Sequence, residues 1–215
     1  MTTRLAEAIS RASLLAQEPD EDHYRKVEEL ERAERRDRRR ERLKAAGVEL
    51  ARSVHDAVVA DSGLKETVSL GAVRRWWARR DPQMLVLNGG QGCGKSVAAA
   101  WAVATHEDST VWVHALDLER IFAAQFGDEI KLQDRICSAR LLVLDDIGIE
   151  KDPAPMCQTL YKILEKRKQR RTIVTTNLGE EAWFERYSET RLVSRFRELA
   201  VFFVDRGPDL RGGGR

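Results

Sequence analysis

The stretch Val86–Ala100 reads VLNGGQGCGKSVAAA. An apolar run passes into four glycines, then Lys-Ser, then alanines. The spacing Gly89-x-x-x-x-Gly94-Lys95-Ser96 meets the phosphate-loop pattern at every fixed position. A loop that holds an anion must turn its backbone N–H groups inward, and glycines permit the dihedrals and the close approach this needs. The N-terminus of the next helix adds its own N–H groups and its dipole. The residues expected to hold a nucleotide are Gly89, Gly90, Gln91, Gly92, Cys93, Gly94, Lys95, Ser96 and Val97. Lys95 would reach the β- and γ-phosphates, and the Ser96 hydroxyl would ligate Mg²⁺. Met84–Leu87 reads as a buried strand and Val97–Ala104 as a helix former, the context this loop requires.

Two later stretches have the same form, an apolar strand ending in polar residues. RLLVLDDIG (140–148) places Asp145 and Asp146 at the C-terminal end of a strand, where open α/β sheets bind ligands. Asp145 would hold Mg²⁺ and Asp146 would polarise an attacking water. RRTIVTTNLG (170–179) would bring Thr175, Thr176 and Asn177 beside Asp145 if its strand lies between the first and third strands. Asn177 would then orient water, although an Asx turn would also explain it. ETRLVSRFRE (189–198) sets Arg191 and Arg195 four apart on one helical face. An arginine supplied by a neighbouring subunit would stabilise phosphoryl transfer. In RGPDLRGGGR (206–215), Arg211 would fold back on the phosphates or belong to a basic tail.

The chain has 215 residues and a net charge of +2, so overall charge does not select a partner. No apolar run is long enough to span a membrane, and MTTRLAEAIS lacks a secretory hydrophobic segment. Cys93, Cys137 and Cys157 form no C-x-x-C pair, so neither a disulfide framework nor a zinc knuckle is expected. Together these features imply a cytoplasmic protein.

Composition divides the chain into a charged helical region, 1–74, and a core, 75–215. Residues 21–53 predict a solvated helix with i,i+4 pairs such as Glu28/Arg32 and a thin apolar seam of Val27, Leu30 and Ala33. The basic subcluster Arg35, Arg36, Arg38, Arg39, Arg40, Arg42 and Lys44 is a candidate for nucleic-acid contact, although a solvated helical face would also explain it. Short helices over 54–80 lead to RRWWARR, whose adjacent Trp76 and Trp77 point to different sides, one of them into the core. Beyond Met84, strands are expected at 84–88, 110–115, 140–145, 172–176 and 200–204. Helices are expected at 95–105, 116–126, 155–170, 180–187 and 189–198. Such alternation means a parallel sheet covered on both faces.

GGQGCGKS, LLVLDDIG, TIVTTNLG, RLVSRF and GPDLR, in that order, resemble the DnaC-type AAA+ ATPases, the bacterial and phage replicative helicase loaders with IstB-like transposition helpers as relatives. The resemblance covers about residues 75–211. It implies a P-loop NTPase of AAA+ type, with a five-stranded parallel sheet in order 5-1-4-3-2, flanking helices and an N-terminal helical extension. By it, Asn177 is a sensor residue, Arg195 a trans-acting arginine finger and Arg211 a second sensor. Asp146 stands where most AAA+ proteins carry glutamate. The implied activity is ATP- and Mg²⁺-dependent loading of a replicative helicase onto single-stranded DNA by a self-associating ATPase. A transposition helper is the alternative reading. A small-molecule kinase would share the phosphate loop but need neither a trans arginine nor a sensor asparagine, and a nucleotide-gated binding module would bind with negligible turnover. Lys131, Arg135 and Arg140, with the cluster Lys166–Arg171, are the basic groups of the core available to DNA.

Overall fold

The computed structural model describes residues 21–61, 64–79, 81, 83–106 and 108–212. MTTRLAEAIS, the first 20 residues of the 1–74 region and the end of the basic tail lie outside the described residues. The strands are β1 (Met84–Gly89), β2 (Thr110–His114), β3 (Leu141–Ile147), β4 (Arg171–Thr176) and β5 (Ala200–Asp205). They form one sheet in order β2-β3-β4-β1-β5, with every neighbouring pair parallel. This is the 5-1-4-3-2 order expected from the sequence. Between the strands run α4 (Lys95–Thr105), α5 (Ala115–Ala123), α6 (Asp128–Ser138), α7 (Pro153–Lys166), α8 (Glu180–Arg186) and α9 (Thr190–Leu199). Among the described residues three helices precede the sheet: α1 (Glu21–Ala46), α2 (Arg52–Ala60) and α3 (Val68–Trp77).

The central strands are apolar because both of their faces are covered. Val86 and Leu141 through Leu144 are fully buried. Full burial of such a side chain contributes about 1.5–3 kcal/mol. One face packs against α5 to α9, with Leu142, Leu144 and Val174 meeting Trp183 and Phe196 in a common core. The other face packs against α4, and α1 to α3 close over it. Every alanine at 98, 99, 100, 102 and 104 is fully buried, so α4 can approach the sheet closely.

The helices before β1 share this second core. Leu43, Ala46, Val58, Val59, Leu70 and Trp76 are buried with Leu85 and Ala98. The expected boundary at residue 74 therefore falls inside α3, whose apolar face lies on α4 and the sheet. The seam of Val27, Leu30 and Ala33 does not dock α1. Leu30 and Ala33 are exposed, and α1 is anchored by its far end through Leu43 and Ala46. The i,i+4 pairs do form: Arg32–Glu28, Arg35–Glu31 and Arg38–Glu34 lie at 2.5, 3.6 and 3.1 Å.

One more expectation changes. One helix was expected between β2 and β3, at 116–126, but the chain makes two. Gly127, at φ 86°, turns it, and α6 starts with Asp128 and Glu129, acids favoured in a first turn, and buries Ile136 and Cys137. Trp76 is the core member of the tryptophan pair, and Trp77 lies half-buried beside it. Trp77 meets His106 edge-on at 4.9 Å, and Arg171 sits over Trp76 and Trp77 at 4.7 and 4.8 Å. Arg171 opens β4, so this cluster lies at the end of the sheet opposite the strand C-termini.

Arg167 and Arg171 are not surface cations for DNA. Arg171 donates to the Trp76 and Trp77 carbonyls at 3.3 and 3.2 Å. Arg167 is 2% exposed and donates to the carbonyls of Ile136, Ala139 and Arg171 and to the Thr172 hydroxyl. Burial lowers its pKa to about 10, so the fork of hydrogen bonds has to offset an unfavourable desolvation. Arg167→Ala would strand buried carbonyls at the end of α6 and the start of β4. It should lower stability by about 2–4 kcal/mol, seen as a lower urea midpoint with an unchanged slope. An unchanged midpoint would show that water satisfies these carbonyls instead.

Candidate nucleotide site

β1 runs into the glycine loop, and the loop runs into α4 at Lys95. Gly92 and Gly94 hold φ of 74° and 101°, a region that side chains other than glycine rarely enter. Close approach adds to the need at both positions. A Cβ on Gly94 would meet Thr67 Cγ2 at 3.1 Å, and one on Gly92 would run into the Asp209 carboxylate. Lys95 is 6% exposed, and its ammonium is held across the loop. It donates to the carbonyls of Gly89 and Gly90 at 2.9 and 2.7 Å and to Asn177 Oδ1 at 3.0 Å. Three acceptors match the three protons of an ammonium. Cys93 is buried, and its Sγ donates to the Gly90 carbonyl at 3.1 Å.

The other half of the site comes from β3 and β4. Leu144 pairs with Val174, and the register slips before Ile147 pairs with Thr176. In this slip Asp146 takes φ 57°, a left-handed conformation that an aspartate enters at some cost. Thr175 accounts for it. Its hydroxyl donates to Asp145 Oδ1 at 2.6 Å and accepts the Asp146 N–H at 2.9 Å. Ser96 Oγ donates to the same Asp145 oxygen at 2.9 Å. Burial pushes the Asp145 carboxyl above its ordinary range, and the hydroxyls of Thr175 and Ser96 pull it back. Thus Lys95, Ser96, Asp145, Thr175 and Asn177, from three separate motifs, are joined by direct hydrogen bonds at the C-terminal edge of the sheet.

These residues fit a nucleotide with Mg²⁺. The loop supplies N–H groups, Lys95 a cation, and Ser96 and Asp145 two hard oxygens already side by side. Among the described residues no group of three or more His, Cys, Asp or Glu could hold a metal ion. A Mg²⁺ that takes the rest of its shell from phosphate and water needs no such cage.

Comparison with known proteins agrees. The family model for the IstB-like ATP binding protein matches residues 2–197. The chain belongs to the IstB-like ATP-binding family. No curated protein sequence matches it. Among solved structures, DnaI is similar at 24% identity and TM-score 0.56, covering 74% of this chain and 93% of that one. The DnaC helicase loader is similar at 19% and 0.56, covering 73% and 100%. Domain III of the Thermotoga maritima replication initiation protein DnaA follows at 17% and 0.50, covering 66% and 62%. These likenesses show that the fold is shared.

Within this IstB-like fold, the remaining expected residues fall in different places. Arg211 lies on a short 3-10 turn, Leu210–Gly212, after β5. The segment does fold back over the phosphate loop, since the Leu210 N–H donates to the Gly92 carbonyl at 3.0 Å. Arg211 itself is exposed there, and Asp209 is the side chain laid against Gly92. Arg195 is not the bare arginine that its neighbours in sequence suggest. It pairs with Glu165 on α7 and with Glu198. Glu165 is 30 residues away, so inspection of positions three and four apart could not find it. Arg191 is exposed and makes no hydrogen bond or ion pair among the described residues.

Four supporting residues were not singled out from the sequence. His114 ends β2 opposite Asp145, accepts the Leu116 N–H through Nδ1 at 3.3 Å, and turns Nε2 toward Asp146 Oδ2 at 3.6 Å. Glu150 is 6% exposed and accepts from the Gly148 N–H and from Arg186 and Tyr187, tying the loop after Asp146 to α8. Asp205 is 2% exposed and accepts from Ser69 and from the Gly207 N–H, tying α3 to the segment over the loop. Thr67 caps α3 and abuts Gly94. A carboxylate two or three residues past a strand was the available signal for Glu150. The contacts of Thr67 and Asp205 are long-range and leave no local pattern.

Thr175→Val keeps the shape of the side chain and removes its hydrogen bonds to both aspartates. The gain in ATP affinity on adding Mg²⁺ should shrink about tenfold, a lost hydrogen bond to a charged group being worth ~1.5–3 kcal/mol. Affinity for metal-free ATP should not change. Titrations with Mg²⁺ and with a chelator check this; equal Mg²⁺ dependence in the two proteins would remove Thr175 from the site.

Proposed function

We propose that the chain is a Mg²⁺-dependent ATPase that loads a replicative helicase onto single-stranded DNA. The observation that supports ATP turnover is the hydrogen-bonded set Lys95–Asn177 and Ser96–Asp145–Thr175, with Asp146 held alongside by the same threonine. Lys95 would leave the loop carbonyls for phosphate oxygens. Mg²⁺ held by Ser96 and Asp145 would neutralise charge on the phosphates. Asp146 would take the proton of the attacking water, and Asn177 would orient that water. The loading role is supported by the five ordered motifs and by the fold shared with a solved DnaC helicase loader. The helices before β1 are the proposed partner-binding element. A transposition helper is the second reading, favoured by the IstB name of the matching family model.

Lys95→Ala should lose about a hundredfold in ATP affinity, as expected for a charge-assisted phosphate contact. Asp146→Asn should bind ATP normally and turn over about a hundredfold more slowly. Wild-type ATP binding by Lys95→Ala in calorimetry would refute the loop assignment. Capture of the purified helicase or transposase encoded nearest the gene would decide between the two partner readings.

Arg195 is proposed to act in trans, leaving Glu165 and Glu198 for the γ-phosphate bound by an adjacent copy. Arg195→Ala should bind ATP normally and barely hydrolyse it. Mixing it with Lys95→Ala should restore turnover, because one subunit keeps the pocket and its neighbour the arginine. If both variants fold and co-assemble and no turnover returns, the trans role is wrong; Arg191 is then the residue to test.

A further inference from the structure

The core offers DNA fewer free cations than its composition promises. Besides Arg167 and Arg171, Arg170 donates to the carbonyls of Cys137 and Lys166, and Arg135 to that of Ala45. Lys131 pairs with Asp128 and Lys168 with Glu165. The basic charge of the molecule is concentrated elsewhere. Residues 32–44, the second half of α1, carry eight basic and three acidic side chains.

Arg32, Arg35, Arg36 and Arg39 recur at i, i+3, i+4 and i+7, which is one face of a helix. That face opens on α2, and the two helices bound a groove of about 450 Å³ lined by these arginines with Val59, Ala60 and Asp61. The groove has a fixed floor. Asp61 caps α2, accepts from Arg39 at 2.7 Å and accepts from Trp101 Nε1 at 3.0 Å. Its wall is mobile in charge. The Arg32 and Arg35 side chains are each 60% exposed and, among the described residues, are held only by i,i+4 carboxylates, pairs worth about 0.3–0.5 kcal/mol. Arg36 makes no hydrogen bond or ion pair among the described residues.

We propose that the α1–α2 groove takes a nucleic-acid phosphate backbone, giving a surface to the DNA partner in the function proposed above. From Arg32 to Arg39 the helix rises about 10 Å, a span of several phosphates on a strand that places one every ~3.4 Å along a duplex axis. Guanidinium forks match phosphate oxygens in pairs. A protein partner would need apolar area to bury at the centre of its interface. Here the apolar lining is Ala60 and Val59, and Val59 is only 3% exposed. Among the described residues no aromatic ring lines the groove, which leaves bases without a stacking platform. Binding here would be sequence-independent and strongly salt-dependent.

The test uses the full chain with ATP and Mg²⁺ and a fluorescein-labelled strand of about 30 nucleotides, single and duplexed, followed by anisotropy across salt. The triple variant Arg32→Gln, Arg35→Gln and Arg36→Gln should bind at least about tenfold more weakly, and its log K against log salt should be shallower by about 2 to 3. Arg39 is left in place because it holds Asp61. The triple variant should keep wild-type ATP affinity and lower the urea midpoint only slightly, as loss of two exposed i,i+4 pairs predicts. The control Arg140→Gln with Lys166→Gln should change neither slope nor affinity. Wild-type affinity and slope in the triple variant would overturn the surface while leaving the DNA partner standing. If the wild-type chain binds no DNA but captures poly-glutamate through the same arginines, both the surface and the DNA partner fail, and the groove fits an acidic protein.

Discussion

Thr175 joins the two acids on which the site depends. Its hydroxyl proton goes to Asp145 and its lone pair accepts the backbone N–H of Asp146. This is possible only because β4 lies between β1 and β3 in a parallel sheet. In any other strand order the hydroxyl, the acids and the glycine loop would end at different places. The register slip between Leu144 and Ile147 is part of the same arrangement, since it places Asp146 in its left-handed conformation beside the hydroxyl that holds it there. An aspartate is one of the few side chains for which that conformation is affordable.

Electrostatics set the rest. Lys95 is a buried cation whose three protons are met by two loop carbonyls and the Asn177 amide, all neutral acceptors. Among the described residues no carboxylate pairs with it, so an anion entering the loop would find an unopposed positive charge. Asp145 is balanced the other way, raised by burial and lowered by two hydroxyls. Around this pair the buried acids Glu150 and Asp205 act as ties to α8 and α3. They connect the loop after Asp146, and the segment laid over Gly92, to helices on opposite faces of the sheet.

Much of this was legible in the sequence. The glycine spacing, the apolar run ending in Asp145-Asp146 and the β-branched run ending in Asn177 fixed three strand ends, and their order followed from the family they resemble. What escaped has a common cause. Glu165 beside Arg195, Thr67 beside Gly94 and Asp205 beside Ser69 are contacts between residues far apart in the chain, and no periodicity encodes them. The docking of α1 escaped for another reason. Its apolar residues at 27, 30 and 33 are spaced for a face, but the helix runs past its support, and burial begins only where Leu43 and Ala46 meet α4. The second helix before β3 did carry local signals in Gly127, Asp128 and Glu129, which the short span between the strands obscured.

The central claim is that Ser96 and Asp145 share one divalent ion beside a phosphate held by Lys95. A crystal structure with Mn²⁺ and a non-hydrolysable ATP analogue tests it directly through the anomalous signal of the metal. The account predicts one peak about 2.0–2.2 Å from Ser96 Oγ, with Asp145 bound to the metal or one water away, as expected for octahedral oxygen coordination. Lys95 Nζ should then lie within hydrogen-bond distance of the terminal phosphates, having left Gly89 and Gly90. A metal peak away from Ser96, or an analogue whose phosphates lie outside the glycine loop, would contradict it.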